Sequence, residues 1–197
     1  MLLHPEESQL VLVDYQQRLM PAIHDGRAVL ANALRLAQAA RLLDVPCWGT
    51  EENPQGLGPL DASLLPHIQK VLPKMTFAGA EELMPRLRPP ARAPQGNARS
   101  LPRHLQKGAP PQEERNSIVI AGCEAHVCLL QTSLELLEQE FEVWVVTGAC
   151  SSRPERNRDP ASDRLAGAGA ELVTTEMVAF EWLRGCEHPA FREVLAL

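Results

Sequence analysis

No apolar run in this chain approaches the ~20 residues that a bilayer-spanning helix requires, so no membrane association is expected. Positive charge is also scarce. Nineteen Lys and Arg stand against 25 Asp and Glu, a net charge of −6. Without a basic surplus there is little to displace counterions from nucleic acid, which is therefore not an expected partner. The N-terminus, Met1 to Glu7, has no basic stretch followed by an apolar one, so no secretory leader is expected and the location reads as cytoplasmic. The five cysteines (Cys47, Cys123, Cys128, Cys150, Cys186) are odd in number and lie mostly in or beside apolar segments. That is free-thiol usage, not a disulfide framework. Six histidines at 4, 24, 67, 104, 126 and 188 show no zinc-ligand spacing, so neither metal nor other cofactor is expected. Internal repeats are absent too.

What is present is a globular composition: 197 residues, 45% apolar and 22% charged. That length fits one domain able to bury about 70% of its unfolded surface. Three apolar runs read as strands buried on both faces: Leu10–Val13 before Asp14, Ile118–Ala121 before Gly122, and Val143–Val146 before Thr147. Helical patterns lie between them. In Arg27–Leu43, residues Val29, Ala33, Leu36, Ala40 and Leu43 recur at steps of four and three, and Asp44-Val45-Pro46 ends the helix. Cys47–Thr50 and Glu171–Thr175 are further strand candidates. Helices are expected from Val127 to about Glu140, with Leu130, Leu134 and Leu137 on one face, and over Asp159–Gly167. Strand, helix, strand, repeated, predicts a three-layer α/β domain.

One stretch breaks the rhythm. Between Pro85 and Arg115, seven of 31 residues are proline, and six Arg with one Lys face two Glu. Proline at that density opposes regular helix or central strand, so the segment reads as a long excursion from the sheet. Its five excess positive charges would draw anionic ligands.

In a parallel sheet, ligands bind beyond the carboxyl ends of the strands. Asp14 and Gln16 follow the first strand, Lys74 stands in Val71–Phe77, and Cys123, Glu124, His126 and Cys128 follow the Ile118 strand. A thiol opening a helix there gains from the positive end of the helix dipole. Each residue also has a plainer reading: Cys128 as core filler, Asp14 as a turn residue, Lys74 as a solvated lysine, His126 as a first-turn histidine. From spacing alone both readings stand.

Val11–Gln16, Lys74-Met75-Thr76-Phe77 and Gly122-Cys123-Glu124-Ala125-His126-Val127-Cys128-Leu129-Leu130-Gln131-Thr132, in that order, strongly resemble the isochorismatase-like cysteine hydrolases. The similarity runs on through Val143–Arg153 to Thr175-Glu176-Met177 and Phe180–Leu183, leaving out only 85–115. The resemblance implies a six-stranded, mostly parallel sheet and a catalytic triad of Asp14, Lys74 and Cys128. It also implies an oxyanion hole from the backbone N–H groups of Glu124 and Cys128, and a cis peptide between Cys123 and Glu124. Gln16, Phe77 and His126 become candidate substrate contacts. A thiol near pKa 8.5 is only a few per cent thiolate at neutral pH, so it needs a base, here Asp14, and a countercharge, here Lys74. The expected chemistry is acyl transfer from a small amide through a thioester, with prearranged donors for the tetrahedral oxyanion.

Departures from relatives narrow this. The nicotinamidase branch carries an Asp-x-His-x-x-His metal site, but Thr50–Gly58 here holds no histidine. True isochorismatases lack the nucleophilic cysteine that Cys128 supplies. Small amides, ureido compounds or related carbonyls remain as substrates. Two alternatives stay open: an idle oligomeric scaffold, and a thiol sensor using Cys128 with Cys123 as resolving partner. The apolar tail (Met177, Val178, Phe180, Trp182, Leu183, Phe191, Val194, Leu195), together with the resemblance, predicts a homodimer or higher homo-oligomer.

Overall fold

A computed structural model of the chain describes residues 1–89 and 115–197. Its centre is β1 (Ser8–Val13), six residues buried without exception, as a strand covered on both faces must be. β1 leads through α1 (Gly26–Leu42) to β2 (Cys47–Glu52), the single helical turn α2 (Pro54–Leu57), β3 (Lys70–Lys74) and α3 (Ala80–Leu87). The second half runs β4 (Ser117–Gly122), α4 (Leu130–Glu138), β5 (Glu142–Val146), α5 (Arg158–Gly167), β6 (Glu171–Val173), α6 (Thr175–Leu183) and α7 (Phe191–Leu195).

The six strands lie in the order β3-β2-β1-β4-β5-β6, and every pairing is parallel. The chain builds outward from β1 to one edge, then returns to β1's other side at β4. That reversal leaves a crevice beyond the carboxyl ends of the central strands. The helices pack on both faces, giving the three-layer α/β/α arrangement. Among the described residues no helix is long and apolar enough to cross a membrane.

One strand was not anticipated, and three local expectations need correction. β3 escapes the sequence pattern because it is an edge strand, with Pro73 exposed and only Leu72 and Lys74 buried. Pro85 is not in a loop but inside α3, where Leu83 and Leu87 are buried and hold the helix despite one missing N–H. The rest of the expected proline-rich excursion, residues 90–114, lies outside the described residues. The helix expected from Val127 starts as a π-helical turn, Ala125–Leu129, before α4. The wider turn rotates the helix, so Thr132, Ser133 and Leu136 join Leu130 in the core, while Leu134 and Leu137 are only partly buried. Lastly, much of the apolar tail serves its own core. Val178, Trp182, Leu183 and Val194 are buried, and the Trp182 indole donates to Ser8 Oγ at 3.0 Å. Met177, Phe180 and Leu195 remain exposed.

Candidate active site

Four strand ends converge. Asp14 follows β1 with φ of 56°, a left-handed conformation that a non-glycine residue adopts only when its surroundings hold it there. Its carboxylate is fully buried, accepting from Thr50 Oγ1 at 2.8 Å on Oδ1 and from Lys74 Nζ at 2.8 Å on Oδ2. Lys74 is the last residue of β3, its side chain turned inward with no exposed surface. The ammonium also donates to Glu52 Oε2 at 2.9 Å and to the carbonyls of Thr76 and Phe77 at 3.2 and 3.1 Å. Behind the lysine stem, a Cβ on Gly79 would come within 3.3 Å of Lys74 Cδ. The Gly79 N–H donates to Thr132 Oγ1 of α4, tying the lysine loop to the helix that follows the thiol.

The thiol side is built from β4. Gly122 is required: a Cβ there would lie 2.5 Å from Val13 Cβ and 2.6 Å from its carbonyl oxygen. Beyond it the Cys123 N–H donates to Val13 O, the Cys123–Glu124 peptide is cis, and the Ala125 N–H donates to Ser151 O. The π-helical turn then delivers Cys128, 6% exposed, into the crevice. Its sulfur and one carboxylate oxygen each of Asp14 and Glu52 all lie within 4.8 Å of one another. Such a donor set could face a cation, and the Lys74 ammonium already fills that position between the two carboxylates.

Burial, first, and then the Asp14 carboxylate push the Cys128 thiol up to about 12, with Glu52 adding to the rise and Lys74 partly opposing it. Burial alone would depress Lys74, but Asp14 and then Glu52 overrule it and the lysine is held above its ordinary value. The resting site therefore keeps its proton on sulfur and its charge on the lysine.

Asp14, Lys74 and Cys128 are thus brought together as a group. Glu52 joins them and was missed by sequence reasoning, although it ends β2 and pairs in register with Lys74. The strand-end argument that singled out Asp14 reaches this region but does not separate Glu52 from Glu51. The other sequence candidates divide. Gln16 is fully buried, its amide donating to the carbonyls of Glu52 and Gly58 and accepting from the Glu52 N–H. It is a positioning residue for Glu52, not an open contact for a ligand. Phe77 is 54% exposed and offers its carbonyl to Lys74. His126 is partly buried, with Nδ1 2.8 Å from Ser152 Oγ. The Glu124 side chain is buried in an ion pair with Arg153, whose N–H also donates to it at 3.1 Å. The Glu124 backbone N–H has no acceptor among the described residues.

Known proteins share this chain's sequence family and fold. The sequence model of the Isochorismatase domain matches residues 8–177. The mouse isochorismatase domain-containing protein 2A is 33% identical over 190 residues, covering 96% of this chain and 82% of the relative. Among solved structures, a nematode protein described as MAR1 ribonuclease superposes with a TM-score of 0.83 at 28% identity, covering 100% of this chain and 91% of the other. Two YcaC proteins share the fold. That of Pseudomonas aeruginosa, described with hexane-2,5-diol and covalent acrylamide, has a TM-score of 0.79 at 24% identity, covering 98% and 90% of the two chains. That of Escherichia coli, described as an octameric hydrolase of unknown specificity, gives 0.77 at 22%, covering 100% and 95%.

Proposed function

The chain belongs to the isochorismatase family, and from that premise we propose that it is a cysteine hydrolase of small amides or related carbonyl compounds. The observation that carries the reading is the convergence of Asp14, Lys74 and the Cys128 sulfur at the carboxyl ends of the central strands. The thiol proton passes to Asp14 as sulfur attacks the carbonyl carbon. Lys74 remains an ammonium and balances the negative charge that moves between Asp14 and sulfur. The tetrahedral oxyanion is received by the backbone N–H groups of Glu124 and Cys128, the former without another acceptor among the described residues. Collapse breaks the carbon–nitrogen bond, the amine leaves with the proton from Asp14, and a thioester remains. Water, deprotonated by Asp14, then releases the acid and restores the thiol. A protein of this fold is described with covalent acrylamide, an electrophile of the class that thiols attack.

The competing readings have less support. Cys123 is fully buried and its thiol is directed at Met20 Sδ, 3.8 Å away. Burial first, and the nearby Cys150, Asp14 and Glu124 after it, raise its pKa, all of which oppose a role as resolving cysteine. A ribonuclease activity, as the nematode protein's description would suggest, sits poorly with a net charge of −6 and a recessed thiol. An idle scaffold would have no need to keep a buried lysine between two carboxylates. Assembly into a homo-oligomer is proposed alongside catalysis, since Met177, Phe180 and Leu195 leave an apolar face at α6 and α7, and one protein of this fold is described as octameric.

The test is a screen of small amides read by ammonia release. Turnover of at least one amide is expected, lost in Cys128→Ala and largely kept in Cys123→Ala. Hydrolysis that survives Cys128→Ala would overturn the assignment.

A further inference from the structure

Two carboxylates face one ammonium in this site. Asp14 has both oxygens engaged, one by Thr50 and one by Lys74. Glu52 has only Oε2 engaged, by Lys74; its Oε1 takes no hydrogen bond from any described residue and is not among the sealed polar atoms. The Glu52 backbone is clamped through both its N–H and its carbonyl by the Gln16 amide. With one oxygen pinned to Lys74 and the main chain fixed, the carboxylate has little freedom to turn away. One of its oxygens lies within 4.8 Å of the Cys128 sulfur. A group attached to the carbon that sulfur attacks therefore arrives beside the Glu52 carboxylate, one oxygen of which takes no hydrogen bond from the described residues, in a crevice whose fixed charges sum to one negative.

We propose that Glu52 is a specificity residue: it accepts a hydrogen bond from an N–H on the substrate's reacting end and repels a carboxylate at that position. The inference rests on the hydrolase reading above and deepens it. The substrate class it selects is a carbonyl flanked by N–H, as in a primary amide or a ureido group, in preference to an ester, a tertiary amide or a carbonyl next to an acid. Burial sharpens the choice, because a charged acceptor left without a donor in a largely buried site forfeits solvation that the correct group would replace.

Alkylation of Cys128 tests this without requiring turnover. Three haloacetyl probes are compared: iodoacetamide, 2-iodo-N,N-dimethylacetamide and iodoacetate. In each, sulfur displaces iodide from the same methylene, and only the neighbouring group changes. Rates are divided by those with glutathione, and the modified residue is identified by peptide mass, with Cys128→Ala as the blank. The wild-type protein should favour iodoacetamide over each of the other two by about tenfold, the scale of a hydrogen bond to a charged group. Glu52→Gln removes the charge and should chiefly relieve iodoacetate, whereas Glu52→Leu removes the acceptor and should erase most of the preference over the dimethyl probe as well. Any general change in thiol reactivity moves all three rates together and leaves the ratios untouched. A wild-type protein with no preference overturns the proposal, whether or not the variants fold. So does a preference over the dimethyl probe that persists in Glu52→Leu. Selective alkylation with no amide hydrolysed would sink the hydrolase reading alone; amide hydrolysis without selectivity would sink only the role of Glu52.

Discussion

Lys74 is the residue on which the site's electrostatics turn, because its one charge answers two buried carboxylates and opposes the rise of the Cys128 pKa. Lys74→Met should cost about 3 kcal/mol or more in urea unfolding, since removing one member of a buried ion pair leaves the others uncompensated. The same variant should move the pH profile of Cys128 alkylation to higher pH, because the group that favours the thiolate is gone. A profile displaced to lower pH would contradict this account. Asp14, Lys74 and Cys128 were legible in the sequence because each sits in a short motif and the motifs occur in order. Glu52 was not, since nothing in Thr50-Glu51-Glu52-Asn53 distinguishes a glutamate that enters the crevice from its neighbour. Only the register of β2 against β3 does that, by placing Glu52 opposite Lys74. Gln16 was misjudged for a related reason: a polar residue at a strand end reads as open until the backbone groups that saturate it are in place.

At the level of elements, the seam between β1 and β4 sets where the thiol can go. Val13 pairs with Gly122, and the two approach so closely that any side chain on residue 122 collides with Val13. Gly122→Ala should destabilise the fold by about 1–3 kcal/mol through overpacking and should also depress turnover, as Cys123–Cys128 shift with the strand end. Loss of activity without loss of stability, or neither, would show that the seam can yield. The strands with continuous apolar runs were easy to read, and so was α1 with its regular spacing. β3 was hidden by its exposure at the sheet edge, while α4 was read as a helix but with the wrong inner face, because the π-helical turn changes the phase of the helix midway through a pattern that assumes one period. Pro85 misled in the opposite direction, because composition registers a breaker but not the burial of Leu83 and Leu87 around it.

Across the molecule, burial holds several thiols protonated. It raises Cys47 and Cys123 and takes Cys150 up to about 12. A group whose pKa is raised on folding contributes stability that is present below its unfolded value and lost as the pH climbs toward its folded one. For these thiols the window opens near the unfolded value of about 8.5, so stability should be level from pH 6 to 8 and fall from there upward. Urea melts across that range would check it; a midpoint that rises between pH 8 and 10 would be inconsistent. The exposed face of Met177, Phe180 and Leu195 calls for a different measurement. Light scattering at micromolar concentration should give a multiple of 21.7 kDa, and the monomer mass would refute assembly. Fold class was legible from the alternation of strands and helices, whereas the strand order was not, because alternation alone is silent on which side of β1 the chain resumes. That order has a consequence for how the chemistry is divided. Asp14, Glu52 and Lys74 all belong to residues 1–89, and Cys128 with the turn that presents it belongs to residues 115–197. In the proposed mechanism the two carboxylates with their lysine and the nucleophile are thus carried by separate lengths of polypeptide, which meet at the β1–β4 pairing and through contacts such as Gly79 with Thr132 and Trp182 with Ser8. A cut anywhere in 90–114 partitions the catalyst into two pieces, each lacking what the other has. Reconstituted activity would then register the reassembly of the two pieces across that seam.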